Sequence, residues 1–126
     1  MNALAPLTIA LAVVYFVAAI LHTGITIPLG PVTLAFPEPS QPATVAETII
    51  GVALTLAAAA MVLRARPSRI VWGLYVFALA GTLLGFTIIL LVGRGGPDLW
   101  VHLLMLAGLA GGFALLARER RRSSSA

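Results

Sequence analysis

The sequence has no cysteine and no lysine, and it is poor in charge of either sign. Without cysteine the chain forms no disulfide, offers no thiolate nucleophile and has no cysteine-based metal site. Charged residues make up 10% of the 126 residues, whereas they make up about 25% of an average soluble domain. So few charges cannot cover a water-soluble surface, and the sequence therefore predicts that most of the surface faces lipid.

Hydrophobic residues make up 60% of the chain and are concentrated in four long runs. A transmembrane helix needs about 20 mainly apolar residues. The runs predict an all-α transmembrane four-helix bundle. Its helices are expected over about 4–22, 43–64, 69–93 and 98–118, in one domain over 1–122 with a disordered tail over 123–126. We expect the first run to be a retained helix and not a cleaved signal, because Met1–Asn2–Ala3 carries no positive charge.

The eight basic residues are all arginines, and seven of them fall in two segments, 64–69 and 118–122. Arginines that flank apolar spans are enriched on the cytoplasmic side of a membrane. We therefore expect a multi-pass protein of a bacterial inner membrane, with both termini and the 64–69 turn in the cytoplasm. The net charge of +4 is explained by this orientation, so we expect the bilayer and not nucleic acid as a partner.

The connection between the first two predicted helices is long and rich in proline. Ile25–Thr26–Ile27 and Val32–Thr33–Leu34 alternate as strand residues do, and Pro28–Leu29–Gly30–Pro31 between them is typical of a tight turn. The sequence therefore predicts a short β-hairpin over the outer mouth of the bundle.

Small residues recur in the third and fourth predicted helices. Gly81 and Gly85, like Gly108 and Gly112, are four residues apart, which lets helices approach closely in lipid. We expect Gly85 and Gly108 at close helix contacts. Such faces also permit a homo-oligomer or a larger membrane complex, and they do not identify a partner.

The predicted topology brings ionisable residues from distant parts of the chain to the extracytoplasmic end of the bundle. They are His22, Glu47, Arg94, Asp98 and His102. Ionisable residues are costly inside a membrane, and they mark functional sites where they face the bundle interior. We expect Glu47 within hydrogen-bonding reach of a histidine, in a polar pocket that binds a ligand.

These residues also have structural explanations. Thr44–Val45–Ala46–Glu47 has the pattern of a capping box, and Asp98 follows Gly–Pro as an N-cap residue does. Arg94 could contact headgroups or pair with Asp98, and each histidine could lie hydrogen-bonded at the membrane interface.

Two functions remain open from the residue types. The first is a non-enzymatic role, as a ligand-binding protein or an accessory subunit. The alternative is a redox or metal-binding protein in which His22 and His102 ligate a metal ion or a b-type haem. No ligand spacing is strong enough to identify a metal or cofactor, so we favour the first. A Ser-His-Asp hydrolase is not indicated, because no serine lies in a spanning run, and no P-loop occurs.

The layout is similar to that of the small four-helix membrane proteins of bacteria of the DoxX-like kind. The resemblance is carried by the four short spans, by Leu21–His22–Thr23–Gly24, by the proline-rich loop that leads to Glu47, and by the segment 95–102. It implies a four-helix bundle in a bacterial membrane and brings no catalytic residues with it. Small multidrug exporters share the length and span number, but their essential Glu lies in the first helix, where this chain has none.

Overall fold

The computed structural model describes residues 3–63 and 69–125. The helices are α1 (Leu4–His22), α2 (Gln41–Leu63), α3 (Arg69–Val92) and α4 (Pro97–Ser124), and the strands are β1 (Ile27–Leu29) and β2 (Val32–Leu34). All four of these helices are long and apolar enough to cross a membrane. The predicted transmembrane four-helix bundle is confirmed, and so is the short hairpin.

Each helix packs against its neighbour in the chain, and α4 closes the bundle against α1. We call the end that carries residues 23–40 the hairpin end, and the end that carries Arg69 and Arg118–Arg122 the arginine end. The predicted cytoplasmic turn 64–69 lies outside the described residues except for Arg69, which begins α3.

The outer surface of the bundle is apolar along its length. Large aliphatic side chains such as Leu84, Leu91 and Val62 are exposed, with Leu91 exposed to 82% of its full area. A water-soluble protein does not leave contiguous apolar surface of this extent uncovered. Together with the spans, this surface identifies a multi-pass membrane protein.

The β-hairpin differs in register from the prediction. Its antiparallel strands pair Ile27 with Leu34 and Leu29 with Val32, so the loop is Gly30–Pro31 alone. Pro28 and Leu29 were predicted as turn residues and belong to β1. A two-residue loop is the commonest connection in a β-hairpin, and Gly30 supplies the positive φ of 66° that its first position needs.

The structure also extends two helices beyond their predicted bounds. α2 begins at Gln41, where the hydroxyl of Ser40 accepts a hydrogen bond of 3.4 Å from the backbone N–H of Ala43. α4 continues to Ser124, although 123–126 was predicted as a disordered tail. The hydroxyls of Ser123 and Ser124 donate to the backbone carbonyl of Arg120, at 2.8 and 3.2 Å, so these serine side chains bond back to the preceding turn of the helix.

Two buried hydroxyl pairs cross the diagonal of the bundle, where α1 and α3 face each other. Thr8 pairs with Tyr75, and Tyr15 pairs with Thr82. Each threonine donates its own hydrogen to a backbone carbonyl of its helix, Thr8 to Leu4 at 2.8 Å and Thr82 to Ala78 at 2.6 Å. Each tyrosine is therefore the donor in its pair, and its length lets it reach across the diagonal.

This donor order predicts an asymmetric response to substitution of the Tyr15–Thr82 pair. Thr82→Val leaves the buried Tyr15 hydroxyl without an acceptor, and we expect a loss of about 1–3 kcal/mol in the free energy of unfolding. Tyr15→Phe leaves Thr82 bonded to Ala78, so its cost should stay near the ~0.6 kcal/mol typical of interhelical hydrogen bonds in membranes. Unfolding in mixed micelles measures both. Equal losses in the two variants would show that the donor order is wrong.

Candidate functional site

Four ionisable side chains meet at the hairpin end of the bundle. They are His22 at the end of α1, Glu47 in the second turn of α2, and Asp98 and His102 in the first two turns of α4. Their exposed fractions lie between 2% and 6%, so all four are buried. We call them the His–carboxylate cluster. The sequence predicted that these residues come together, and the structure confirms it.

The contacts within the cluster alternate between imidazole and carboxylate. His22 Nδ1 lies 2.8 Å from Glu47 Oε2, and His22 Nε2 lies 3.5 Å from Asp98 Oδ1. His102 Nδ1 lies 3.2 Å from Asp98 Oδ1, and His102 Nε2 lies 4.0 Å from Glu47 Oε1. Each imidazole thus stands between two carboxylates, as a buried charge requires. The expected hydrogen bond between Glu47 and a histidine is confirmed at His22.

The backbone orients both imidazoles in the same way. His22 Nδ1 lies 3.1 Å from the carbonyl oxygen of Ala18, and His102 Nδ1 lies 3.0 Å from that of Asp98. Because the other atom near each Nδ1 is a carboxylate oxygen, Nδ1 carries the hydrogen in both rings. Nε2 of each ring faces a second carboxylate oxygen, which is Asp98 Oδ1 for His22 and Glu47 Oε1 for His102.

Two carboxylate oxygens of the cluster are not hydrogen-bonded. Glu47 Oε1 and Asp98 Oδ1 are buried, and neither has a hydrogen-bond partner among the described residues. A buried acceptor without a donor costs about 1–3 kcal/mol, and more when it is charged. These are also the two oxygens that face the Nε2 atoms of the histidines. Glu47 and Asp98 therefore each bring one carboxylate oxygen without a hydrogen bond into the cluster.

The capping interpretations of Glu47 and Asp98 are wrong. α2 begins at Gln41, so Glu47 lies too deep in the helix to cap it, and Ser40 supplies the capping hydroxyl. At α4 the N-cap residue is Gly96, with a φ of 76° and no side-chain cap. Pro97 takes the first helical position, where its missing N–H is not needed. Asp98 is therefore the second residue of the helix and not its cap, and its side chain faces the histidines.

Arg94 does not join the cluster. Its guanidinium lies 2.7 Å from the carboxylate of Glu38, in a part-exposed ion pair that joins the α3–α4 connection to the segment after the hairpin. The suggested pairing with Asp98 is therefore wrong. An exposed ion pair contributes about 0–1 kcal/mol, so this contact ties two loops together loosely.

The segment after the hairpin covers the cluster. The buried ring of Phe36 packs against the imidazole of His22, with 4.6 Å between the ring centroids. The backbone N–H of Ser40 donates to the carbonyl of His22 at 2.8 Å, which closes the base of the loop. Sequence reasoning missed Phe36, although it is the one aromatic residue in the connection between α1 and α2.

The arrangement is a ring of contacts and not a set of atoms around one centre. As the side chains stand, no three His, Asp or Glu residues within 3–63 and 69–125 are grouped to hold a metal ion. The two histidines are linked through the carboxylate of Asp98, which lies within 3.5 Å of both. The cluster can neutralise buried charge and can offer lone pairs to a small group that enters it.

These properties come from the residues of the chain itself, and the DoxX-like resemblance stays a prediction. Comparison of the chain with models of protein families, with curated proteins and with solved structures found no match.

Proposed function

We propose that the chain is a multi-pass protein of a bacterial cytoplasmic membrane that binds a small cation at the His–carboxylate cluster, from the extracytoplasmic side. The observation that carries this proposal is the pair of buried carboxylate oxygens, Glu47 Oε1 and Asp98 Oδ1, that have no hydrogen-bond partner in the described residues. Unpartnered lone pairs on buried carboxylates favour a cation and disfavour an anion.

The charges around the cluster support a cationic ligand. Two carboxylates enter it from different helices, Glu47 from α2 and Asp98 from α4. Arg94, which could have held an anion, is paired with Glu38 outside the cluster. The four groups face one another with no serine or cysteine nucleophile among them, so we assign binding and not catalysis.

The same contacts favour a small cation over haem. Bis-histidine ligation places two imidazoles on opposite faces of a porphyrin. Here a carboxylate lies within contact distance of both rings, which leaves no room for a macrocycle between them.

The extracytoplasmic orientation rests on the distribution of arginine. Arg69 and Arg118–Arg122 lie at the arginine end, and the positive-inside rule assigns that end to the cytoplasm.

Because the chain has no cysteine, single-cysteine variants test this orientation directly. In intact cells, a membrane-impermeant maleimide should label Thr33→Cys on the exposed hairpin. Ser123→Cys should react only after permeabilisation, and the reverse pattern would overturn the orientation.

Thermal unfolding of the purified protein in detergent tests the binding. The panel is Na⁺, K⁺, ammonium, Mg²⁺, Ca²⁺, Co²⁺ and Zn²⁺, each as the chloride. We expect at least one cation to raise Tm, since a ligand at 100 times its Kd stabilises the folded state by about 2.7 kcal/mol.

The matched control for this experiment replaces Glu38, a carboxylate outside the cluster, in the same way as Glu47. Glu47→Gln should abolish the rise in Tm, whereas Glu38→Gln, which makes the same change of charge outside the cluster, should retain it. A panel in which no cation raises Tm, or in which Glu47→Gln responds like the parent, would contradict the proposed function.

A further inference from the structure

The arginine end of the bundle carries charge of mainly one sign. Among the described residues its charged side chains are Glu119 and five arginines, Arg69, Arg118, Arg120, Arg121 and Arg122. All five arginines are exposed. The ion pairs found within 3–63 and 69–125 all lie at the hairpin end, so none of them neutralises these arginines. An anion from outside the chain fits this charge.

α4 extends beyond α1 at this end. Gly108 lies against Leu11, and Gly111 lies against Leu7. This antiparallel register puts the first residue of α1, Leu4, near the level of Leu115. α4 continues from there to Ser124, which is about 13 Å further at 1.5 Å per residue. The arginines of α4 therefore lie on helical turns that extend past the beginning of α1.

α3 brings a further arginine to the same level. Gly85 lies against His102, and Gly112 lies against Tyr75, which fixes the register of α3 and α4. In this register Arg69 is level with Arg118. Each of the two arginines directly adjoins the apolar part of its helix, so both lie where the hydrocarbon of the bilayer meets the headgroups.

Three of the arginines continue the lipid-facing side of α4. Arg118, Arg121 and Arg122 are three and four residues apart and share one face of the helix. Gly111 and Ala114, which are exposed, lie on the same face closer to the middle of the span. Arg120 lies on the other side of the helix, because successive residues turn by about 100°.

This placement fits the phosphate of a lipid headgroup. Like charges four residues apart destabilise a helix, and an anion between Arg118 and Arg122 removes that repulsion. A guanidinium donates two parallel hydrogen bonds to phosphate oxygens. The small residues Gly111 and Ala114 leave space for an acyl chain beside the helix. We propose that Arg118, Arg121 and Arg122 bind the headgroup of an anionic phospholipid in the leaflet at the arginine end.

Thermal unfolding of the purified protein in a neutral detergent tests the proposal. Phosphatidylglycerol added to the micelles should raise Tm. Phosphatidylcholine with the same acyl chains should not, because its choline group balances the phosphate charge. The rise should shrink as NaCl is added, since salt screens exposed charges. Glycerol phosphate, which has the phosphate and no acyl chains, should not reproduce the rise.

A double variant locates the headgroup. An arginine near an anionic lipid surface contributes about 1 kcal/mol, so Arg118→Gln with Arg122→Gln should need about 30-fold more phosphatidylglycerol for half of the rise. Arg94→Gln with Arg120→Gln removes the same charge from the hairpin end and from the other side of α4. This control should respond like the parent. Measurement in detergent makes both results independent of the orientation in the membrane.

Three results would overturn the proposal. The first is that phosphatidylcholine raises Tm as much as phosphatidylglycerol, or that neither lipid raises it. The second is that both double variants respond to phosphatidylglycerol alike, which would mean that total charge or another site explains the rise. The third is that glycerol phosphate reproduces the rise, which would make the ligand a free phosphate. Glu47→Gln should respond to phosphatidylglycerol like the parent, because the His–carboxylate cluster lies at the opposite end.

Discussion

His22→Leu is expected to lower the free energy of unfolding by about 3–5 kcal/mol, the cost of removing one partner from a buried ion pair. The substitution removes the hydrogen bond of 2.8 Å to Glu47 Oε2 and the contact of His22 with Asp98. Both carboxylates then remain buried with His102 as their shared partner. Denaturant unfolding in mixed micelles gives the change.

Two further variants show whether that loss comes from stranded charge. His22→Leu combined with Glu47→Leu leaves the Asp98–His102 pair intact at 3.2 Å, so the double variant should be more stable than His22→Leu alone. Arg94→Leu breaks the part-exposed pair with Glu38 and should cost no more than about 1 kcal/mol. A double variant that loses the sum of both single losses would mean that packing, and not charge, holds the cluster.

Gly108→Leu is expected to cost at least about 1–3 kcal/mol, the usual penalty of overpacking a core. A Cβ at Gly108 would lie 2.5 Å from Leu11 Cδ2, so any side chain at this position requires Leu11 to shift. A leucine displaces the buried side chain of Leu11 at the contact between α1 and α4 that closes the bundle. A lower Tm in detergent, relative to the parent, measures the effect.

Gly111→Leu is the control on the same helix. A Cβ at Gly111 would lie 3.9 Å from Leu7 Cδ2, which is an ordinary van der Waals distance, and the position is exposed. We expect Gly111→Leu to melt close to the parent because its side chain enters lipid. Equal melting of Gly108→Leu and Gly111→Leu would show that α1 and α4 do not depend on this close approach.

The helices were predictable because each depends on a local property of the chain. A run of apolar residues long enough to cross a bilayer specifies a helix wherever it occurs, and the four spans agree with the runs to within a few residues apart from the extended end of α4. The meeting of Glu47 with His22 was predictable for a related reason. Glu47 lies near the beginning of a span and His22 ends the preceding span, so both lie at a similar depth.

The roles of Asp98 and Arg94 were not predictable from the same information. Gly96–Pro97–Asp98 fits an N-cap by residue type, but the positive φ of Gly96 makes the glycine the cap and turns Asp98 inward. Arg94 has an acidic residue four positions away, yet it pairs with Glu38 across two loops. Both outcomes depend on backbone geometry and long-range contacts that no local pattern contains.

The sequence by itself determined the spans, the hairpin and the depth at which the ionisable residues gather, because hydrophobic length and turn chemistry act over neighbouring residues. Only the tertiary structure decided that four of those side chains form one buried cluster, that two carboxylate oxygens in it face imidazole nitrogens, and that Phe36 covers it. These features depend on the rotation of each helix about its axis. Contacts such as Leu11 against Gly108 set that rotation between segments that lie far apart in the chain.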